Sequence, residues 1–69
     1  MWINITDASG EKRMVNLDNV TYITYEQSRD ISSISFINNT IMLPIKGNIL
    51  SQVRRILPTN ETALVNIGE

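Results

Sequence analysis

The stretch from Ile31 to Lys46 constrains the fold more than any other part of the chain. Residues 31–37 and 40–46 alternate apolar and polar positions, with Ile34 and Phe36 in the first run and Ile41, Leu43 and Ile45 in the second. That period of two marks half-buried strands. Asn38-Asn39 lies between them, and Asn tolerates the left-handed backbone that a type I′ hairpin turn needs. A two-residue loop there sets Phe36 opposite Ile41 and Ile34 opposite Leu43. Upstream, residues 20–26 read as a strand and Gln27-Ser28-Arg29-Asp30 as a four-residue loop, which sets Ile23 opposite Ile34 and Tyr25 opposite Ser32. The two loops are independent, yet both gather Ile23, Ile34, Phe36, Ile41 and Leu43 on one side. A slip of one residue would send a whole set to the other face. Val20 and Tyr22 are expected together on the opposite side. Pro44 cannot donate a ladder bond, so it marks an edge strand or a bulge.

The flanks extend this pattern. Residues 2–6 and 13–17 read as strands around the turn cluster Asp7-Ala8-Ser9-Gly10-Glu11-Lys12, where Asp and Ser bond nearby backbone and Gly supplies a positive φ. Asp18-Asn19 interrupts the chain before the third strand. After Gly47, Asn48 suits a helix N-cap, and Ile49, Leu50, Val53, Ile56 and Leu57 recur at helical spacing up to Pro58. This predicts a helix over 49–57 whose apolar stripe covers the sheet. Ala63, Val65 and Ile67 alternate again, giving a possible tail strand over 62–67. The expectation is one domain over 1–69 of the mainly β (α+β) class. Its core would be an antiparallel five- or six-stranded meander sheet with one amphipathic helix packed on one face.

A chain of 69 residues buries only about 60% of its unfolded surface and sits near the margin of stability. It has no Cys and no His, so it lacks a disulfide, a thiolate metal site and the usual general base. An extra staple would have to be oligomerisation. No nucleophile–base pair can be built without His or Cys, and the seven carboxylates lie mostly in turns and termini. Asp7 with Glu11, and Glu26 with Asp30, could chelate a divalent ion across a loop, but solvated turn carboxylates are the simpler reading. We therefore expect no enzyme, no cofactor and no metal. Four glycosylation-type triplets begin at Asn4, Asn19, Asn38 and Asn60, a number that an Asn- and Thr-rich chain reaches by chance. Met1-Trp2-Ile3-Asn4 does not read as a signal peptide, and no apolar run approaches the roughly 18 residues of a membrane span. The expected compartment is the cytoplasm, without membrane association.

Two groups of residues are candidates for contact with partners. Trp2, Val20, Tyr22, Met42 and Val65 are apolar residues on faces that the helix does not cover, and exposed apolar patches mark interfaces. They point to a protein partner and to a homo-oligomer. Lys46, Arg54 and Arg55 form a small basic cluster at the helix, which could meet phosphate or an acidic partner. Arginines in a last helical turn also answer the helix dipole. The net charge of −1 lacks the basic excess usual in nucleic-acid-binding domains of this size. The leading expectation is a protein-interaction or regulatory module, with a nucleic-acid-binding regulator as the alternative.

The order of elements resembles the small flagellar FlbD family. The resemblance spans Ile3 to Leu57 and rests on Gly10, Asn16, Val20-Thr21-Tyr22-Ile23, Ile34-Ser35-Phe36-Ile37-Asn38-Asn39 and Val53-Arg54-Arg55-Ile56. The chain departs from that family at Asn39, where Gly is usual, and in the strand-like tail after Pro58. The resemblance implies a fold of strand, Gly turn, Asn-bearing strand, hairpin and C-terminal amphipathic helix. It implies no enzymatic activity.

Overall fold

The computed structural model describes residues 1–56. In chain order they form β1 (Trp2–Thr6), β2 (Lys12–Asn16), a 3-10 turn (Leu17–Asn19), β3 (Val20–Glu26), β4 (Ile31–Phe36), β5 (Leu43–Lys46) and α1 (Leu50–Ile56). The architecture is mainly β with one described helix. The strands do not form a five- or six-stranded meander, however. β1 and β2 make a two-stranded antiparallel sheet, and β3, β4 and β5 make a separate three-stranded one.

The division falls between β2 and β3, and local polar chemistry explains it. The Asn16 side chain accepts the Asp18 N–H at 3.1 Å, which caps the 3-10 turn. Val20 then returns its N–H to the Leu17 carbonyl, and Leu17 gives its own N–H to the Met1 carbonyl at 2.8 Å. These bonds use backbone groups that a β2–β3 hairpin would need. The chain leaves the first sheet and starts a second.

Within the second sheet the register follows the alternation. Ile23 pairs with Ile34 and Tyr25 with Ser32, and Ile34 pairs with Leu43. Two local features differ. A type I′ turn at Asn38-Asn39 would need both residues left-handed, with Ile37 bonding across the turn to Thr40. Only Asn38, at φ 63°, is left-handed, and Ile37 gives its N–H to Asn19 on the β3 side at 2.8 Å. The Asn39 side chain then takes the Ile41 N–H at 2.9 Å. The strand expected over 40–46 is thus regular only from Leu43 to Lys46, and Ile41 leaves the inner face for solvent. The second feature is a bulge. Val20 faces Phe36 and Tyr22 faces Ser35, which leaves Thr21 as the extra residue. Val20 therefore lies on the Phe36 side, and Val20 and Tyr22 are on opposite faces rather than together.

The core is small and centres on Ile34, which is 0% exposed on the middle strand, with Val15 and Ile45 also buried. The inner face of the first hairpin turns towards it. Val15 shares a cleft with Phe36 and Leu43, while Ile3 and Ile5 share another with Ile45, Ile49 and Val53. Beside Ile34 the fully buried Ser32 joins the sheet to the helix. Its hydroxyl donates to the Gly47 carbonyl at 2.6 Å and accepts the Ile49 N–H at 3.1 Å. Gly47, at φ 87°, makes the sharp exit from β5, and the Asn48 side chain accepts the Leu50 N–H at 3.1 Å. The helix is described from Leu50 to Ile56, the last of the described residues, so its expected stop at Pro58 lies outside them. Ile49, Leu50 and Val53 are half-buried, while Ile56 remains exposed. Leu57 and the tail expected over 62–67, including Val65, lie outside the described residues.

The junction gives a test. Ser32→Ala leaves the Gly47 carbonyl and the Ile49 N–H without their partner, and should cost about 1–3 kcal/mol. Ile34→Ala opens a cavity at the centre and should cost about 2–5 kcal/mol, enough to unfold much of a marginal domain. Urea midpoints measure both. A Ser32→Ala protein as stable as the parent would show that the hydroxyl bridge contributes nothing.

Candidate functional site

Where the first hairpin meets the open end of β4 and β5, a cleft of about 600 Å³ lies between the two sheets. Val15, Phe36, Leu43, Ile41 and Met42 supply its apolar surface, Trp2 and Met14 border it from the outer face of the hairpin, and Asp7, Ser9 and Arg13 form its polar side. Three of these residues are strongly exposed, Trp2 at 63%, Met14 at 67% and Ile41 at 74%, and Met42 is exposed to a lesser degree at 38%. Their positions follow from the elements that carry them. Trp2 pairs with Asn16 and Asn4 with Met14, so Trp2 and Met14 share the hairpin face opposite Val15. Ile41 is turned out by the Asn39 side chain, and Met42 follows it into the cleft. The result is a concave apolar surface with hydrogen-bonding groups at one side, the general form of a recognition site.

The polar side is built around Asp7, which is 7% exposed. Its carboxylate accepts the Ser9 hydroxyl, the Ser9 N–H at 3.0 Å, the Glu11 N–H at 2.9 Å and the Arg13 guanidinium at 2.7 Å. The Asp7 N–H bonds the Glu11 carbonyl and the Gly10 N–H bonds the Asp7 carbonyl, both at 2.9 Å. Gly10 adopts φ 90°, as the turn cluster requires. The neighbouring Ala8 N–H reaches the Pro44 carbonyl at 2.8 Å, which fastens this turn to the outer edge of β5. The Ser9 hydroxyl first, then Arg13 and the backbone N–H groups, hold the Asp7 carboxyl well below the usual carboxylate range, against the opposing effect of burial. A carboxylate so stabilised is a poor general base. Its role is to organise the cleft wall.

The other carboxylates expected to flank turns are also engaged. Glu11 bonds Arg13 at 2.8 Å, Glu26 bonds Arg29 at 3.2 Å, and Asp30 accepts the Tyr25 hydroxyl at 2.6 Å. That last bond pushes the Tyr25 phenol up. Among the described residues no group of three or more acidic side chains converges on a metal position. No described helix is long and apolar enough to cross a membrane.

The interface candidates are distributed unevenly. Trp2 and Met42 line the cleft, joined by Met14 and Ile41. Val20 is half-buried on the core side, and Tyr22, 55% exposed, stands on the solvent face of β3. In the basic group, register sets Lys46 with Pro44 on the face opposite Ile45, whereas Arg54 and Arg55 belong to the last described turn of α1. Met14 was legible in the alternation of residues 13–17, as the apolar side chain facing away from Val15 and Leu17. Ile41 gave no such signal, because its alternation pointed inward.

Comparison with known proteins returned no matching family model, no matching curated protein and no matching solved structure.

The geometry at Asp7 has a pH signature. A carboxyl whose folded pKa lies below its ordinary value of 3.8 adds stability that is complete above that value and is lost as pH falls towards the folded pKa. The melting-temperature gap between the parent and Asp7→Asn should be steady near neutral pH and narrow progressively below about pH 4. A gap that keeps its neutral-pH size in strong acid would exclude this account.

Proposed function

We propose that the chain is a small non-enzymatic protein-interaction or regulatory module of the cytoplasm. It associates with itself and holds a protein partner at the cleft between its two sheets. The observation that carries this reading is the gathering of Trp2, Met14, Ile41 and Met42, all exposed, around one concavity. Leaving that much apolar surface in water is unfavourable by roughly 25 cal/mol per Å², and contiguous patches of this kind commonly mark protein contacts. The polar side formed by Ser9 and Arg13 would orient a peptide segment whose apolar side chain enters beside Phe36 and Met42, with Trp2 and Met14 at the border. The non-enzymatic part draws support from the absence of His and Cys and from the weak basicity of Asp7. The resemblance to the FlbD family agrees with it, since that family has no established enzymatic activity. Nucleic-acid binding through Lys46, Arg54 and Arg55 has less support, because register parts Lys46 from the helix and the net charge is −1.

A photo-reactive amino acid at position 41 tests the proposal in source cells. It should capture a defined protein, and the yield should fall several-fold when Trp2→Ala and Met42→Ala are combined in a protein that still folds. The same yield with and without these substitutions, or capture no greater than from a photo-reactive group at position 33, would overturn it.

A further inference from the structure

The strand edges of this chain are protected unequally. The outer edge of β5 carries Pro44 and Lys46, and its Pro44 carbonyl is taken by the Ala8 N–H at 2.8 Å. Of the two edges of the first sheet, β2 carries Lys12 and Arg13, while β1 has neither charge nor proline but runs for only five residues. Charge, proline and cover are the usual devices that stop edges from pairing. β3 is the longest strand, at seven residues, and lies at the other edge of the three-stranded sheet. Its sequence from Val20 to Tyr25 is Val-Thr-Tyr-Ile-Thr-Tyr, with neither charge nor proline.

Hydrogen-bond parity identifies which groups this edge presents. On β4, Ile37 gives its N–H towards β3, to Asn19, while the Phe36 and Asp30 carbonyls accept from Asn39 and Gly47 on the β5 side. Odd-numbered residues of β4 therefore serve β3. Their register partners on β3 are Tyr22, Thr24 and Glu26. Ile23 and Tyr25 direct their backbone N–H and C=O groups outward, and among the described residues no backbone group bonds them. Thr21 is the bulged residue and its hydroxyl is turned to Ser35 at 3.2 Å, so the regular outward ladder consists of Ile23 and Tyr25.

We propose that a second copy of this chain pairs with β3 in antiparallel register about a two-fold axis at Thr24, which joins two three-stranded sheets into one. This rests on the reading that the module self-associates, and it assigns that association to a surface other than the cleft. The Thr24 axis sets Ile23 of each copy opposite Tyr25 of the other. Each such pair exchanges two backbone bonds, which satisfies all the outward groups of both residues. An axis at Ile23 would instead set Tyr25 against the bulge at Thr21. On the core side the register makes β-branched–aromatic pairs of Ile23 and Tyr25, which stabilise sheets. On the solvent face Thr24 meets Thr24, and the Tyr22 hydroxyl comes opposite the Glu26 carboxylate. No like charges face each other. An isologous contact of this kind closes at two copies.

Sedimentation of the full chain, with amide exchange followed at Ile23 and Tyr25, tests the proposal. The parent should pass from monomer to dimer between micromolar and near-millimolar concentration, with protection of those two amides rising in step. Thr24→Lys and Thr24→Glu, exposed substitutions that keep the monomer folded, each place like charges together at the axis. Each should raise the dimer Kd by at least about fivefold. An equimolar mixture of the two should recover the dimer, because opposite charges then meet, and Thr24→Val should remain within about twofold of the parent. Three results would overturn the proposal: a monomer throughout, a dimer whose Ile23 and Tyr25 amides stay unprotected, or protection independent of concentration, as when the same chain covers its own edge. Capture at position 41 does not involve Thr24, so failure here is distinguishable from failure of the cleft as a partner site.

Discussion

The Ser32 hydroxyl holds the three-stranded sheet and the helix in one arrangement. It stands on the middle strand beside Ile34, where water does not reach, and satisfies one carbonyl and one N–H at the junction between β5 and α1. A buried polar group is costly unless bonded, and here it serves both sides of a backbone turn at once. The position of α1 follows from it. Gly47 can turn away from the sheet because its carbonyl has a partner, and Ile49 enters the helix with its N–H already bonded. The helix then packs against β3, with the half-buried Ile49 and Val53 beside Ile45. A hydrophobic residue at position 32 would pack against the same neighbours, yet it would leave that junction without bonds.

Asp7 does for the first sheet what Ser32 does for the second. Four donors converge on its carboxylate, from a hydroxyl, two backbone N–H groups and a guanidinium. The turn that results presents the Ala8 N–H to the Pro44 carbonyl. Both hubs are polar, and both lie where elements meet. In a chain with three buried apolar residues in its described core, hydrogen bonds at the seams specify how the layers sit, while the apolar contacts supply the driving force.

The register of β3, β4 and β5 was legible because loop length and alternation are both periodic signals, and they agreed on Ile23, Ile34 and Leu43. The division into two sheets was not. It depends on the Asn16 side chain outcompeting a ladder partner for the Asp18 N–H, a competition that periodicity does not register. The face of Val20 was misread for a related reason: one extra residue at Thr21 reverses the parity of everything before it. Ile41 shows a third kind of limit. Its alternation was correct, but Ile37 had already committed its N–H to Asn19, so the tight turn that would have carried Ile41 inward could not close. The cleft was half legible. Trp2 and Met42 stood out as uncovered apolar residues, while their meeting with Met14 and Ile41 required the packing of one sheet on the other.

The sheet topology also bears on how the molecule comes into being. Every ladder in the described residues joins strands that are consecutive in the chain, and none crosses over. The loop between β3 and β4 spans residues 27–30, so little chain entropy is spent in closing it. Such topologies have low contact order and belong to the faster-folding class of β-containing domains. The three-stranded unit can assemble from neighbouring segments alone, with Ile34 drawing Ile23 and Leu43 together. The N-terminal hairpin, itself local, needs only to dock upon it. Within the described residues the ladders can therefore form from local pairings before the two sheets meet.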